Sequence, residues 1–133
     1  MNYEGKLALV LGLGESGLAM AQWLNRCGAS VRVADTRAEP QRLDALRQAV
    51  PNAEFVAGDA VDGKFTAALI EGADFVAVSP GLAPNKELAA IIPAAQGANI
   101  PVWGEIELFA QALAFLKQER GYSPKVIAMT LGA

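Results

Sequence analysis

Short apolar runs alternate with stretches of helical periodicity along this chain. The runs predict strands, and they are Leu7–Leu11, Val31–Ala34, Glu54–Ala57, Phe75–Val78, Ile100–Trp103 and Lys125–Met129. Between them, apolar residues recur at the three- and four-residue spacing of a helix with one inner face. The alternation of strand and helix predicts an α/β fold with a Rossmann-like open sheet. The sheet should be mainly parallel, with five to six strands and helices on both faces.

The predicted helices have these inner faces: Gly17, Met20, Ala21, Leu24 and Cys27 in the first; Leu43, Leu46 and Val50 in the second; Leu88, Ile91, Ile92 and Ala95 in the third; and Ile106, Phe109, Ala110, Leu113 and Leu116 in the last. Phe65, Leu69 and Ile70 indicate a further short helix. We expect Pro93 to kink or break the third helix, because proline lacks the N–H of a helical residue.

Composition narrows the classes of function. The chain has 133 residues, 53% of them hydrophobic, a net charge of -3, one cysteine and no histidine. No basic stripe favours nucleic acid, and one cysteine excludes an internal disulfide and a cysteine-based metal site. The start of the chain lacks the pattern of a signal peptide, and no apolar run reaches membrane-spanning length. We therefore expect a cytoplasmic protein with no metal site, which binds neither nucleic acid nor membrane.

The clearest chemical motif is Gly12-x-Gly14-x-x-Gly17, which follows a predicted strand and opens a predicted helix. Gly12 permits a tight turn, Gly14 lets the backbone approach a phosphate, and Gly17 lets the helix pack close to the sheet. The helix N-terminus would add unpaired N–H donors and about half a positive charge. The motif predicts a diphosphate site; the alternative is a glycine turn without a ligand.

Two further loops follow strands that should end at the same edge of the sheet. Asp35-Thr36-Arg37 places an acidic residue where dinucleotide-binding folds hold ribose hydroxyls, and Arg37 could pair with a phosphate or stack on a base. Ser79 and the backbone at Gly81 can donate to phosphate or sugar oxygens. The alternatives are an aspartate that caps its turn, a solvated arginine, and a simple Ser-Pro-Gly turn.

The remaining conspicuous residues favour structural roles. Trp23, Trp103 and Cys27 are expected to pack in the core, and Glu105 and Glu107 to lie early in a helix, where the dipole favours acidic residues. No pair of acidic residues stands out as a catalytic acid and base.

Taken in order, four segments resemble the N-terminal domain of the Mur ligase family: Gly12–Gly17, Ala34–Arg37, Ser79–Leu82 and Gly104–Phe109. The resemblance covers the whole chain and is nearest to the members that add D-glutamate to UDP-N-acetylmuramoyl-L-alanine in peptidoglycan precursor synthesis. In that family this domain binds the UDP part of the sugar nucleotide. The resemblance implies that the backbone around Glu15 and Ser16 contacts the diphosphate, with Gly14 and Gly17 in the same turn. It also implies that Asp35, Thr36 and Arg37 surround the uracil ring, and that Ser79 and Gly81 line the cleft near the phosphates.

The family's ATP loop, G-T-N-G-K-T, follows the strand that matches Val126–Thr130, whereas Leu131-Gly132-Ala133 follows it here. The lysine and the Mg²⁺-binding residues of that loop are absent. We therefore expect residues 1–133 to be a single substrate-binding domain cut from a longer three-domain ligase. The fragment would be monomeric, contain no catalytic residue, bind no cofactor and be inactive, whereas the full-length ligase would use ATP and Mg²⁺.

Other functions remain open on the sequence. A different Mur ligase, such as the one that adds L-alanine, is a near neighbour. Asp35 also suits the ribose of NAD, so an NAD-binding domain of an oxidoreductase or a dinucleotide sensor is the main alternative. An inert interaction domain is the third.

Overall fold

The fold is a layered arrangement of strands and helices, seen in a computed structural model that describes residues 3–36, 41–57, 65–82 and 88–120. Its strands are β1 Leu7–Leu11, β2 Ser30–Asp35, β3 Glu54–Ala57, β4 Phe75–Val78 and β5 Val102–Gly104. Its helices are α1 Glu15–Arg26, α2 Leu43–Ala49, α3 Ile91–Gly97 and α4 Glu105–Arg120, with a 3-10 helix at Ala67–Ile70.

The described strands form one parallel sheet in the order β3-β2-β1-β4-β5. This confirms the predicted open α/β sheet, and β1, β3 and β4 have the predicted bounds. The predicted fifth strand starts too early, because the Ile100 N–H bonds the Ala95 carbonyl at the end of α3 and Pro101 has no N–H to offer. The predicted strand Lys125–Met129 lies outside the described residues.

The central strand β1 is buried on both sides, which explains its unbroken apolar sequence. Ala8 and Val10 pack into one core cluster, while Leu9 and Leu11 pack into another on the opposite face. The first, the α1-side cluster, contains residues of α1, α2 and α4. The second, the α3-side cluster, contains residues of α3 and Phe65. Helices therefore cover both faces, as the alternation of elements predicts.

The residues expected to pack in the core do so at its edge. Trp23, Cys27 and Trp103 are partly buried against the α1-side cluster. Burial raises the pKa of the Cys27 thiol, which lowers the thiolate fraction and favours an inert packing residue. Among the helices of the described residues, none is long and apolar enough to cross a bilayer.

Pro93 does not break its helix, contrary to the prediction. It is the third residue of α3, in the first turn, where a backbone N–H has no intrahelical acceptor and its loss costs little. Ile91 and Ala95 are buried, and Leu88 joins the same cluster just before the helix begins. The predicted inner face is therefore correct while the predicted break is wrong.

The predicted inner face of α4 is wrong at Ile106 and Ala110, whereas Phe109 and Leu113 are half-buried and the side chain of Leu116 lies outside the described residues. Ile106 is 83% exposed and Ala110 is exposed, whereas Leu108 and Ala112 are buried. Apolar residues occupy most positions of this helix, so their spacing does not select one face. The helix begins directly after Gly104 of β5, so the exit of that strand sets its rotation and turns Leu108 into the α1-side cluster.

Candidate functional site

A cavity of about 410 Å³ opens where the carboxyl ends of β1, β2 and β4 meet. The chain moves from β1 to β2 on one side and later returns to β4 on the other, so this is the switch point of the sheet. Open α/β sheets bind ligands at such crevices. The cavity is lined by Gly12, Leu13, Gly14, Glu15, Ser16, Asp35, Thr36, Phe65, Ser79, Pro80 and Leu82.

The glycine turn connects β1 to the start of α1. Gly12 has a φ of +89°, which glycine adopts without strain, and its N–H donates to the Ala34 carbonyl at 2.8 Å. The N–H of Leu18 donates to the Gly14 carbonyl at 3.0 Å, so the N–H groups of residues 15–17 come before the first N–H that has an acceptor within the helix. Within the described part of the chain, no side chain caps this end. The turn can therefore hold an anion against N–H donors and the positive end of the helix dipole.

Gly17 fills the packing role predicted for it, and Gly14 stands beside open space. A Cβ at Gly17 would overlap the Gly12 carbonyl oxygen and lie 3.0 Å from the Ser79 Oγ. A Cβ at Gly14 would meet no heavy atom of the described residues within 4 Å. Gly17 thus allows close packing beneath the cavity, while Gly14 leaves the space in front of the turn open.

Asp35 stands at the end of β2 with its side chain turned toward the glycine turn. Its Oδ2 accepts a hydrogen bond from the Leu13 N–H at 2.8 Å, and the residue is only 5% exposed. The half-buried Thr36 continues the wall of the cavity, and Arg37 lies outside the described residues. Asp35 therefore supports the backbone of the turn in addition to bordering the cavity.

Ser79 follows β4 and faces the same turn from the other side. Its Oγ donates to the Gly12 carbonyl at 2.8 Å, and its N–H donates to the Leu11 carbonyl at 3.0 Å. Both donors are used within the protein, so the expectation that the Ser79 hydroxyl donates to a phosphate does not match this geometry. Gly81 is exposed, with a φ of +94°, and lines an adjoining cavity of about 500 Å³ with Ser79 and the start of α4.

The first cavity brings together most of the residues predicted for substrate binding: Gly14, Glu15, Ser16, Asp35, Thr36 and Ser79. Gly17 is buried beneath it, and Gly81 belongs to the adjoining cavity. The three motif loops do meet at one edge of the sheet, as their positions after parallel strands predict.

Residues 6–104 match the profile of the N-terminal domain of MurD-like Mur ligases. The chain belongs to this family. It is 56% identical over 123 residues to the UDP-N-acetylmuramoylalanine–D-glutamate ligase of Ralstonia nicotianae and 53% identical to that of Cupriavidus pinatubonensis. Each alignment covers 92% of this chain and 24% of the relative, so the chain spans about a quarter of the length of these ligases.

Two solved proteins that share this fold have lower sequence identity to the MurD-like domain. The Escherichia coli tRNA N6-threonylcarbamoyladenosine dehydratase TcdA superposes with a TM-score of 0.51–0.52 over 75% of the chain and 50–51% of its own, at 17% identity. The C-terminal domain of the PF1911 hydrogenase from Pyrococcus furiosus has a TM-score of 0.54 at 12% identity, covering 78% of this chain and 92% of that domain. At these identities the likeness establishes the fold alone.

Besides Gly12 of the glycine motif, four cavity residues of the MurD-like domain were not among the predicted binding residues: Leu13, Phe65, Pro80 and Leu82. Leu13, Pro80 and Leu82 adjoin predicted residues within the motif loops, and that adjacency was the available signal. Phe65 is 2% exposed and comes from the connection between β3 and β4. Its position depends on packing in the α3-side cluster, so no local pattern points to it.

Proposed function

We propose that this MurD-like domain binds the UDP part of UDP-N-acetylmuramoyl-L-alanine for a ligase that adds D-glutamate in peptidoglycan precursor synthesis. The observation that carries the proposal is the turn at Gly12–Gly17, whose N–H donors can hold an anion. In this member of the family, the turn lines a cavity that Asp35 also borders. The relatives from Ralstonia nicotianae and Cupriavidus pinatubonensis are named as D-glutamate ligases of this kind.

The diphosphate would lie against the N–H groups at the start of α1, around Glu15 and Ser16. Glu15 is exposed at this helix end, so its backbone rather than its carboxylate would face the phosphates. Gly14 leaves room for that approach, and Gly17 holds α1 close beneath it.

The uracil ring would lie at the end of β2, beside Asp35 and Thr36, with Arg37 next in the chain. Ser79 and Gly81 would form the opposite wall, where the cavity continues toward α4. In this arrangement the uridine diphosphate would lie across the switch point of the sheet, with its uracil at the end of β2 and the rest extending toward β4.

We assign the rest of the ligase chemistry to the longer protein. Among the described residues, no group of three or more potential metal ligands occurs. We assign the ATP and Mg²⁺ of the full-length ligase to the rest of that protein. In this proposal residues 1–133 are the substrate-binding part of a three-domain, monomeric cytoplasmic enzyme, and this part alone does not catalyse ligation.

Calorimetric titration with UDP, UDP-N-acetylmuramoyl-L-alanine and NADH tests the proposal. We expect both uridine ligands to bind and NADH to bind more weakly, because the proposed site holds one diphosphate and one uracil. Tighter binding of NADH would favour the dinucleotide alternative, and no binding of any of them would favour an interaction domain. Because ligand sites often lie between domains, the full-length protein serves as the control.

A further inference from the structure

In the glycine turn, buried side chains form hydrogen bonds to both the carbonyl and the N–H of a single peptide group. The Gly12 carbonyl accepts from the Ser79 Oγ at 2.8 Å, and the Leu13 N–H donates to the Asp35 Oδ2 at 2.8 Å. The carbonyl of one residue and the N–H of the next lie in one peptide plane. Ser79 and Asp35 therefore hold the same plane from β4 and β2, the two strands that flank β1.

The turn does not fix the orientation of this peptide by itself. Gly12 has no Cβ and a φ of +89°, so its backbone torsions are permissive. Rotation of the peptide would take the carbonyl oxygen away from the Ser79 hydroxyl and turn it toward the Asp35 carboxylate, which is also an acceptor. Ser79 is 8% exposed and Asp35 5%, so water compensates poorly for either lost hydrogen bond.

The packing around the Gly12 carbonyl supports the same orientation. The carbonyl oxygen occupies the space where a side chain at position 17 would begin, and the Ser79 Oγ borders that space. Contacts with Gly17 and Ser79 thus keep the Gly12 carbonyl beneath the turn. Gly12 and Leu13 both line the cavity, so a carbonyl turned into it would repel phosphate oxygens.

We propose that Ser79 and Asp35 are positioning residues that lock the Gly12–Leu13 peptide so that the turn presents N–H groups, and not a carbonyl oxygen, to a diphosphate. The proposal rests on the proposed function, because it assumes that the cavity binds UDP. Ser79 acts through the turn, since its hydroxyl and its N–H both donate within the protein. Asp35 has the same action on the other end of the peptide.

The test compares the affinities for UDP and for uridine, which lacks phosphate, by NMR titration of the 133-residue chain. Ser79→Ala should weaken UDP binding by about tenfold, the order expected for one buried hydrogen bond, and change uridine binding little. A fold defect would lower the binding-competent fraction equally for both ligands, so the ratio of the two affinities separates positioning from stability. Ser79→Thr keeps the hydroxyl and should restore the ratio.

The paired variants test whether both residues act on one peptide. Asp35→Ala should also lower the ratio of UDP to uridine affinity, and Asp35→Asn should largely keep it because an amide oxygen still accepts from the Leu13 N–H. Since the two side chains hold one group, the double variant should lose far less than the product of the single effects. Independent, fully multiplicative losses would overturn the shared mechanism.

Two matched controls are available in the same sheet. The Asp74 Oδ2 accepts from the Leu7 N–H at 2.7 Å, which is the same kind of bond at the opposite end of β1. Asp74→Ala, matched to Asp35→Ala, and the exposed Ser30→Ala, matched to Ser79→Ala, should leave the ratio unchanged. If Ser79→Ala does not fold, Ser79→Cys, with its weaker donor, takes its place.

Failure of the proposed function and failure of the positioning role give different results in these experiments. If the unaltered protein, including its full-length form, binds no UDP, the proposed function fails and the positioning role falls with it. If the protein binds UDP and the Ser79 variants keep the original ratio of affinities, the positioning role is overturned while the function stands.

Discussion

The three glycines of the turn meet different physical demands. Gly12 needs a positive φ, Gly17 needs the absence of a Cβ against the Gly12 carbonyl, and Gly14 stands in front of open space. A sequence motif treats these positions alike, whereas the structure places Gly17 in a close packing contact and Gly14 beside open space. The difference is testable with the same substitution at two positions.

Gly17→Ala should destabilise the fold by about 1–3 kcal/mol or more, because its methyl group overlaps backbone and cannot be relieved by a rotamer change. Gly14→Ala should change the free energy of unfolding by less than about 1 kcal/mol, since alanine is only a poorer N-cap than glycine. The same methyl group should weaken UDP binding by obstructing the approach to the helix N-terminus. Urea denaturation and UDP titration of both variants measure the two effects, and equal destabilisation at both positions would contradict this reading of the turn.

At the scale of elements, α4 shows how a helix that is apolar on most sides acquires its buried face. Its N-terminus is held by the Glu107 Oε1, which accepts from the Gly104 N–H at 3.3 Å, the return half of a capping box. This places Leu108 in the α1-side cluster, where Phe75 and Trp103 stack with ring centroids 4.8 Å apart. Ile106 is left on the exposed side, beside the cavity that contains Gly81.

Leu108→Ala should therefore cost about 2–5 kcal/mol of unfolding free energy, the range for emptying a fully buried leucine site. Ile106→Ala is the matched control on the same helix and should cost almost nothing, because its side chain is already in solvent. Chemical denaturation at neutral pH measures both. If Ile106→Ala lost more unfolding free energy than Leu108→Ala, Ile106 would belong to the buried face, as the spacing predicts.

At the scale of the whole molecule, Tyr3 joins segments that are far apart in the chain. Its N–H donates to the Cys27 carbonyl at the end of α1, and its hydroxyl donates to the Gln111 Oε1 of α4 at 3.2 Å. Its ring packs on Phe75 of β4 with centroids 4.9 Å apart. Burial, and secondarily the charge of the Cys27 thiolate, raises the pKa of Tyr3 from 10.0 to about 12.

This shift predicts an alkaline loss of stability. Below pH 10.0 the tyrosine is neutral in both states and its contribution is fully present; above it the unfolded chain releases the proton first, so stability falls as the pH rises toward about 12. Tyr3→Phe should lose about 1 kcal/mol at neutral pH with the Gln111 hydrogen bond and decline less steeply in the alkaline range. Denaturation midpoints of both proteins from pH 8 upward provide the comparison, and parallel curves would exclude Tyr3 as the cause.

Local patterns determined the parts of this protein that depend on local physics. The strands β1, β3 and β4 begin and end where the sequence pattern predicts. The glycine turn is likewise specified by residues that are adjacent in the sequence. The order of elements was sufficient for a parallel α/β sheet. The motif segments carried the resemblance to the Mur ligases, and their positions after parallel strands predicted that the loops lie at one edge of the sheet.

Only the tertiary structure decided which distant groups the side chains of these segments contact. The Asp35 carboxylate meets a backbone N–H 22 residues away, and the Ser79 hydroxyl meets a carbonyl 67 residues away. Neither partner leaves a mark in the sequence, because a backbone group is the same in every residue. The buried face of α4 and the place of Phe65 are likewise set by what the rest of the chain packs against them. Sequence patterns encode the conformation of neighbours along the chain, while contacts across the sheet depend on how the assembled strands bring distant groups together.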